Sequence, residues 1–282
     1  STPSNSSAAS DVYKRQLPNL KRLSLSRNEI ADAAQFTQLP QLEGLSLGGN
    51  RMIEDITPLT GLENLRSLDI SGIGIQQLPD MSGLERIEYL GLDNTGITDL
   101  SPVGALTGLK KLDISFNSKL DDIGPLSGLT CLETLYAWNC SIADLTPLSQ
   151  MGSLRNFQAD RNEIETTDGL ESLFSLTTLF LFDNHIYDIS ALAGLTNLDW
   201  VDLHENRISD ISPLAGLTEL RFLDIRKNPL NGEAYDTYIP MILENNPGIN
   251  LLYDPIPEPS VTALLMLGTG LLVTRRRHAR RV

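Results

Sequence analysis

Apolar residues recur along most of this chain on a long fixed period. Leu20, Leu42, Leu65, Ile87, Leu109, Leu132, Leu154, Leu176, Leu198 and Leu220 follow one another at intervals of 22 or 23 residues. Each interval opens L-x-x-L-x-L-x-x-N-x-I, continues through a variable stretch and closes on G-L-x-x, as in Leu176 to Ile186 and Leu198 to Ile208. A period of this length marks a stacked array. Within a unit, the alternation Leu179, Phe180, Leu181 predicts a short strand with one side chain inward and the next outward. One such strand cannot bury its apolar side alone, so neighbouring copies must supply a continuous core and pair as a parallel sheet.

The polar positions of the unit mark its turns. Asn28, Asn50, Asn117, Asn162, Asn184, Asn206 and Asn228 fall just after the strand. There an amide can satisfy backbone groups at a buried corner. Ile73, Thr95 and Cys140 take that position in the third, fourth and sixth units, which predicts a locally weaker or rearranged ladder. Farther on, Asp55 to Leu59, Asp99 to Val103, Asp144 to Leu148 and Asp210 to Leu214 place Ser or Thr before Pro, which predicts a capped helical turn. The aspartate of that motif repeats too regularly for a metal ligand and reads as a turn acceptor.

On these residues the chain from about Leu17 to Asp254 resembles a bacterial leucine-rich-repeat protein of the 22-residue, internalin-like type. The resemblance implies an α/β repeat solenoid, a horseshoe or arc with the parallel sheet on its concave face and short 3-10 turns or loops on its convex face. About ten strands over 17–230 would stack along roughly 45 to 50 Å. Past Asn228 the period fails; Ala234 to Asn245 reads as a helix and Ile249 to Tyr253 as an extended segment, together a C-terminal cap over 231–254.

Composition changes the picture at the ends. The 50 leucines among 282 residues are explained by the repeat, and a core of this size needs neither disulfides nor a structural metal. The formal charge of -14 argues against nucleic-acid partners. It also conceals an asymmetry, since five of the 22 basic residues sit in the last eight positions and the rest of the chain stands at 17 against 36. Segment 255–282 carries Pro257, Glu258 and Pro259, then an uncharged run over 260–274, then Arg275, Arg276 and Arg277 at the head of the basic tail 275–282. That order resembles the PEP-CTERM sorting signal of Gram-negative bacteria. The resemblance implies an exosortase-type processing enzyme as partner, transient anchoring in the inner membrane with the arginines on the cytoplasmic side, and an exported product at the cell surface, in the envelope or in the extracellular matrix. Residues 1–16 are polar, resemble an adapter-derived peptide and read as disordered or artefactual; the expectation is that a signal segment and an N-terminal cap precede the sequence given.

Function has to be argued from a site, because this architecture hosts many roles. The outward positions are the third, fifth, seventh and eighth of each unit, and they hold Tyr89, Phe116, Tyr136, Trp138, Phe180, Phe182, Trp200 and Phe222, half of the chain's aromatics. Units six to ten are expected to bring Tyr136, Trp138, Phe180, Phe182, Trp200 and Phe222 into one concave patch with His204, rimmed by Asp160, Arg161, Asp183, Asp202, Glu205, Asp224, Arg226 and Lys227. Such a patch points to a protein or glycan ligand, against the plainer possibility that aromatics merely stack across strands. No nucleophile motif, phosphate loop or zinc-binding motif accompanies the histidines at 185, 204 and 278, so the reading is a non-enzymatic recognition module without cofactor or metal. A calcium site among Asp160, Asp183, Asp202 and Asp224 is the weaker reading of those carboxylates. A structural spacer is the alternative function. Cys131 and Cys140 flank one extended strand, about 20 Å or more apart, and are read as unpaired.

Overall fold

The computed structural model describes residues 19–255. The chain divides into two units, Ser1–Leu252 and Tyr253–Val282, and among the described residues every strand and helical turn belongs to the first. The repeats of that unit give strands β1 (Arg22–Ser24), β2 (Gly44–Ser46), β3 (Ser67–Asp69), β4 (Tyr89–Gly91), β5 (Lys111–Asp113), β6 (Thr134–Tyr136), β7 (Asn156–Gln158), β8 (Thr178–Phe180), β9 (Trp200–Asp202) and β10 (Phe222–Asp224), with β11 (Asn250–Leu252) added by the C-terminal segment. All eleven form one parallel sheet in chain order. The register keeps like with like: Leu45 opposes Leu68, Phe157 opposes Leu179, and Val201 opposes Leu223. Because each strand is three residues long, only its middle side chain points into the core, and that column is buried from Leu45 to Leu223, with Leu23 and Leu251 partly exposed at its two ends. The buried apolar residues form one continuous cluster from Ala33 to Ile242. Among the described residues no helix is long and apolar enough to cross a membrane.

The asparagine position works as a cross-repeat clamp. Asn50 donates its amide to the carbonyls of Leu25 and Leu47, at 2.9 and 2.6 Å, and its oxygen accepts the backbone N–H groups of Asn28 and Ile30, both at 3.1 Å. One side chain thus satisfies four backbone groups in two repeats. At the three departures the clamp is reduced by different amounts. The Thr95 hydroxyl keeps the bond within its own turn, to Leu92 O at 2.8 Å, and the Cys140 thiol keeps the bond across repeats, to Ile114 O at 3.3 Å. Ile73 can make neither, and its own N–H reaches Ile70 O only at 3.4 Å.

The Ser/Thr-Pro turns differ from expectation in one respect. They are 3-10 turns, at Thr57–Gly61, Ser101–Ala105, Thr146–Leu148 and Ser212–Leu214, but the Ser or Thr is the first residue of the turn and not its cap. The cap oxygen comes from the aspartate two residues earlier: Asp55, Asp99, Asp144 and Asp210 each accept the backbone N–H of that Ser or Thr at 2.8 Å. The Thr57 and Ser101 hydroxyls, together with those backbone N–H groups, hold the Asp55 and Asp99 carboxyls below their usual range. Proline then fits where no further N–H is required.

The seventh repeat has no 3-10 turn. Thr166 instead bridges to Asp188, and the chain turns at Gly169 with φ at +98°. A Cβ on Gly169 would lie 2.5 Å from the Leu145 carbonyl oxygen and 2.7 Å from the Thr146 Cα. Both contacts are backbone and cannot swing aside. Gly169→Ala should therefore destabilise the array by about 2 to 3 kcal/mol, combining left-handed strain with overpacking. A chemical-denaturation series comparing it with Gly128→Ala, whose Cβ meets nothing within 4 Å, checks this; equal midpoints would contradict it.

The second position of the unit, just before each strand, holds an alternating charge row that the apolar period hides: Lys21, Glu43, Arg66, Glu88, Lys110, Glu133 and Arg155. Lys21 pairs with Glu43 at 2.7 Å, and Glu88 is shared by Arg66 and Lys110 at 2.5 and 3.2 Å. Exposed pairs of this kind add little energy each. A slip by one repeat would nevertheless set like charges side by side, so the row reinforces the register.

Candidate functional site

The outward face of the sheet is built from the flanking residues of each strand and the two positions that follow. The eighth position is not extended, although the alternation of the unit predicts that it continues the strand face. Arg27, Asn94, Phe116, Asn139, Arg161, Asp183, Glu205 and Lys227 there all have φ between 51° and 59°, and Gly49 and Gly72 take the same place. The chain leaves the strand through a left-handed residue at every one of these repeats, which aims this side chain along the rim of the sheet.

The expected single patch is three separate groups. Trp138 meets Tyr136 edge-on at 6.2 Å and Phe116 at 5.8 Å, and the Lys111 ammonium lies 4.9 Å from the Tyr136 ring centre and 5.5 Å from that of Tyr89. Phe182 stacks on His204 at 4.7 Å, with the Arg161 guanidinium 5.6 Å from its ring. Trp200 stacks on Phe222 at 5.2 Å. Phe180 sits in register with Gln158 and Asp202, outside these ring pairs. The break has a simple cause: β7 lies between the first group and the rest and offers only Asn156, Gln158, Asp160 and Arg161 outward, separating β6 from β8 by two strand spacings, about 10 Å. Trp138 and Trp200 are nonetheless 37% and 48% exposed.

Around the middle group the carboxylates have distinct states. His204 Nδ1 lies 2.6 Å from Asp202 Oδ1 and 3.9 Å from Asp224 Oδ2. Burial works against the Asp224 charge, but Arg226 grips that carboxylate through Nε at 3.0 and 3.1 Å and through a terminal nitrogen at 2.5 Å, and the outcome is a carboxyl below its usual range. Asp160 is 5% exposed and accepts the Phe182 N–H at 3.1 Å. Burial, with the Asp202 charge adding to it, pushes its carboxyl up to about 7. Among the described residues Asp202, His204 and Asp224 are the set that could hold a metal ion, with ligand atoms within 4.8 Å of one another. A cation there would have to displace Arg226. Of the rim residues, Arg161 pairs with Asp183 at 3.6 Å and Lys227 with Glu205. Cys131 and Cys140 are both free, the first exposed and the second buried.

Residues 18–61, 85–128 and 196–234 match the family model described as leucine rich repeats (2 copies). An internalin C2 of Listeria monocytogenes is 34% identical, with a TM-score of 0.59 over 74% of this chain and 82% of that one. The chain belongs to the leucine-rich-repeat proteins. A second Listeria monocytogenes internalin (inlF) superimposes on this leucine-rich-repeat chain with a TM-score of 0.77 at 29% identity, covering 85% of this chain and 68% of that one. A leucine-rich-repeat protein of Leptospira interrogans, at 21% identity and a TM-score of 0.66 over 87% and 71% of the two chains, shares the fold. Comparison with curated proteins gives no match. Leucine-rich-repeat arrays generally serve protein recognition, presenting the sheet face as an extended binding surface. The Pro257, Glu258, Pro259 motif and the arginines from Arg275 onward lie outside the described residues.

Proposed function

We propose that this leucine-rich-repeat chain is an exported, non-enzymatic recognition module whose concave sheet face binds a protein or glycan ligand through Tyr136, Trp138, Phe180, Phe182, Trp200, His204 and Phe222. The observation that carries the reading is the exposure of both tryptophans on the sheet face. Tryptophan is costly to leave in water, and exposed aromatic groups on a rigid surface are the usual anchors of interfaces. Having three groups instead of one patch suits an extended ligand that crosses several strands and touches each group in turn. Export is supported by the resemblance to internalins and by the order of Pro257, Glu258 and Pro259, apolar run and arginine tail. On this reading an exosortase-type enzyme processes the chain after the apolar segment has anchored it transiently in the membrane. The test is to probe a glycan array and a set of envelope proteins with the purified chain. Capture of a discrete ligand supports a recognition module, and indifferent binding to all probes supports a structural spacer instead.

A further inference from the structure

Among the left-handed residues that end the strands, one differs in kind from the rest. The others are glycine, asparagine or charged, whereas the fifth repeat places Phe116 there, at φ 58° and 43% exposed. A bulky residue in this region is strained, and an aromatic ring left in water is unfavourable. Its edge-on contact with Trp138 at 5.8 Å covers only part of the ring. The fold alone would be better served by asparagine, which the fourth and sixth repeats use as Asn94 and Asn139.

Beside the ring lies a groove of about 340 Å³, a volume typical of small-molecule sites. Two local features of the sequence shape it. The fifth unit has 23 residues where the third and fourth have 22, so both Ser118 and Lys119 stand between the clamp residue Asn117 and the buried Leu120. The fourth unit offers Gly96, which has no side chain to fill the space. Gln76, Gln77, Asn94 and Thr98 complete the wall. Among the described residues, the side chains of these four make no hydrogen bond within the chain and face solvent.

The lining selects a chemical class. It contains no carboxylate, and Lys119 is its one charged group. Side-chain amides both donate and accept hydrogen bonds, and so does a hydroxyl. Such a wall suits a neutral ligand whose own groups do both, and the exposed ring adds a flat apolar surface in the same groove. A pyranose matches on both counts, with hydroxyls around its edge and C–H bonds on a face that packs against an aromatic ring. An extended polypeptide fits less well, because β3, β4 and β5 are each paired on both sides and leave no free backbone edge beside the groove.

We propose that the groove beside Phe116 is a subsite for a neutral hexopyranose, with Phe116 as its platform and Gln76, Gln77, Asn94 and Thr98 bonding its hydroxyls. The proposal rests on the reading of the chain as a recognition module and narrows its ligand to a glycan. The probes are the methyl glycosides of glucose, galactose, mannose and N-acetylglucosamine, each titrated into the full chain and followed by saturation-transfer NMR. At least one is expected to bind, with saturation concentrated on the C–H protons of one ring face. Phe116→Asn should weaken that binding at least tenfold while the thermal midpoint holds or rises, because asparagine tolerates the left-handed turn. Gln76→Ala/Gln77→Ala should weaken it at least fivefold, and Phe174→Ala/Tyr187→Ala, which removes exposed rings elsewhere, should leave it unchanged. No binding by any of the four, as a groove built for a polypeptide would give, overturns the proposal. So does undiminished binding by Phe116→Asn, or tighter binding of methyl glucuronide than of methyl glucoside, which would make Lys119 the centre of an anion site. Capture of a protein by the sheet face with no glycoside bound would remove the subsite and leave the recognition module standing. Glycoside binding that is lost in Phe116→Asn would keep the subsite even if the tryptophan groups proved silent.

Discussion

Asp160→Asn should stabilise the fold by about 4 kcal/mol at pH 8 and by almost nothing at pH 3. Burial moves this carboxyl from its ordinary 3.8 to about 7 in the folded chain. Below pH 3.8 both folded and unfolded chains carry the proton, so ionisation costs nothing. Between about 4 and 7 the folded chain binds a proton that the unfolded chain has released, so stability falls as the pH rises through that window. Above 7 both states are ionised and the full cost of the buried charge is present, about 4 kcal/mol for this separation. Asparagine keeps an oxygen for the Phe182 N–H and carries no charge. Urea midpoints for wild type and variant at several pH values should converge in acid and separate steadily up to pH 7. Parallel curves would show that Asp160 ionises at its ordinary value.

Asn117→Ala should cost about 3 to 5 kcal/mol. This side chain is 1% exposed and adjoins a reduced part of the clamp, because its neighbour in the fourth repeat is Thr95. Its amide donates to the carbonyls of Leu92, Ile114 and Ser115 at 3.0, 2.7 and 3.3 Å. Its oxygen accepts the N–H groups of Thr95 and Gly96 at 3.2 and 2.8 Å. Alanine would leave several of these backbone groups buried without partners, each costing about 1 to 3 kcal/mol where water cannot enter. The comparison is Asn28→Ala at the exposed end of the ladder, where the same amide reaches Leu25 O at 2.9 Å and water can replace it. Denaturation should separate the two variants by at least about 2 kcal/mol; similar losses would mean that the clamp carries no particular load in the centre.

The period, the inward columns and the asparagine clamp were legible because each is written in every repeat, and nine spacings leave little room for another register. What the sequence did not disclose depends on pairs 22 residues apart. The aspartate rather than the Ser or Thr caps each turn, since the cap is decided by which side chain can reach the N–H and not by which residue type is the commoner cap. Phe116 reads as an outward strand residue until the left-handed turn at position eight puts it on the rim. The aromatics looked like one patch because they were collected by position in the unit, whereas the polar side chains of β7 divide the Tyr136 and Trp138 group from the others, and Phe182 and His204 stand four positions farther along their repeats than Trp200 and Phe222. Reading down columns instead of along the chain would have revealed the charge row from Lys21 to Arg155.

On the proposed reading the sheet face, and not the surface as a whole, recognises the ligand. Phe174 and Tyr187 lie outside the sheet strands and are 60% and 56% exposed, more than Trp138 or Trp200, which makes them a matched control. The decisive measurement is capture of the ligand found in the array by Trp138→Ala/Trp200→Ala and by Phe174→Ala/Tyr187→Ala, with circular dichroism confirming both folds. Recognition by the sheet face predicts at least a hundredfold loss of affinity for the first variant, about 2.7 kcal/mol, and less than a threefold change for the second. Equal losses in both, or full capture by the tryptophan variant, would contradict it.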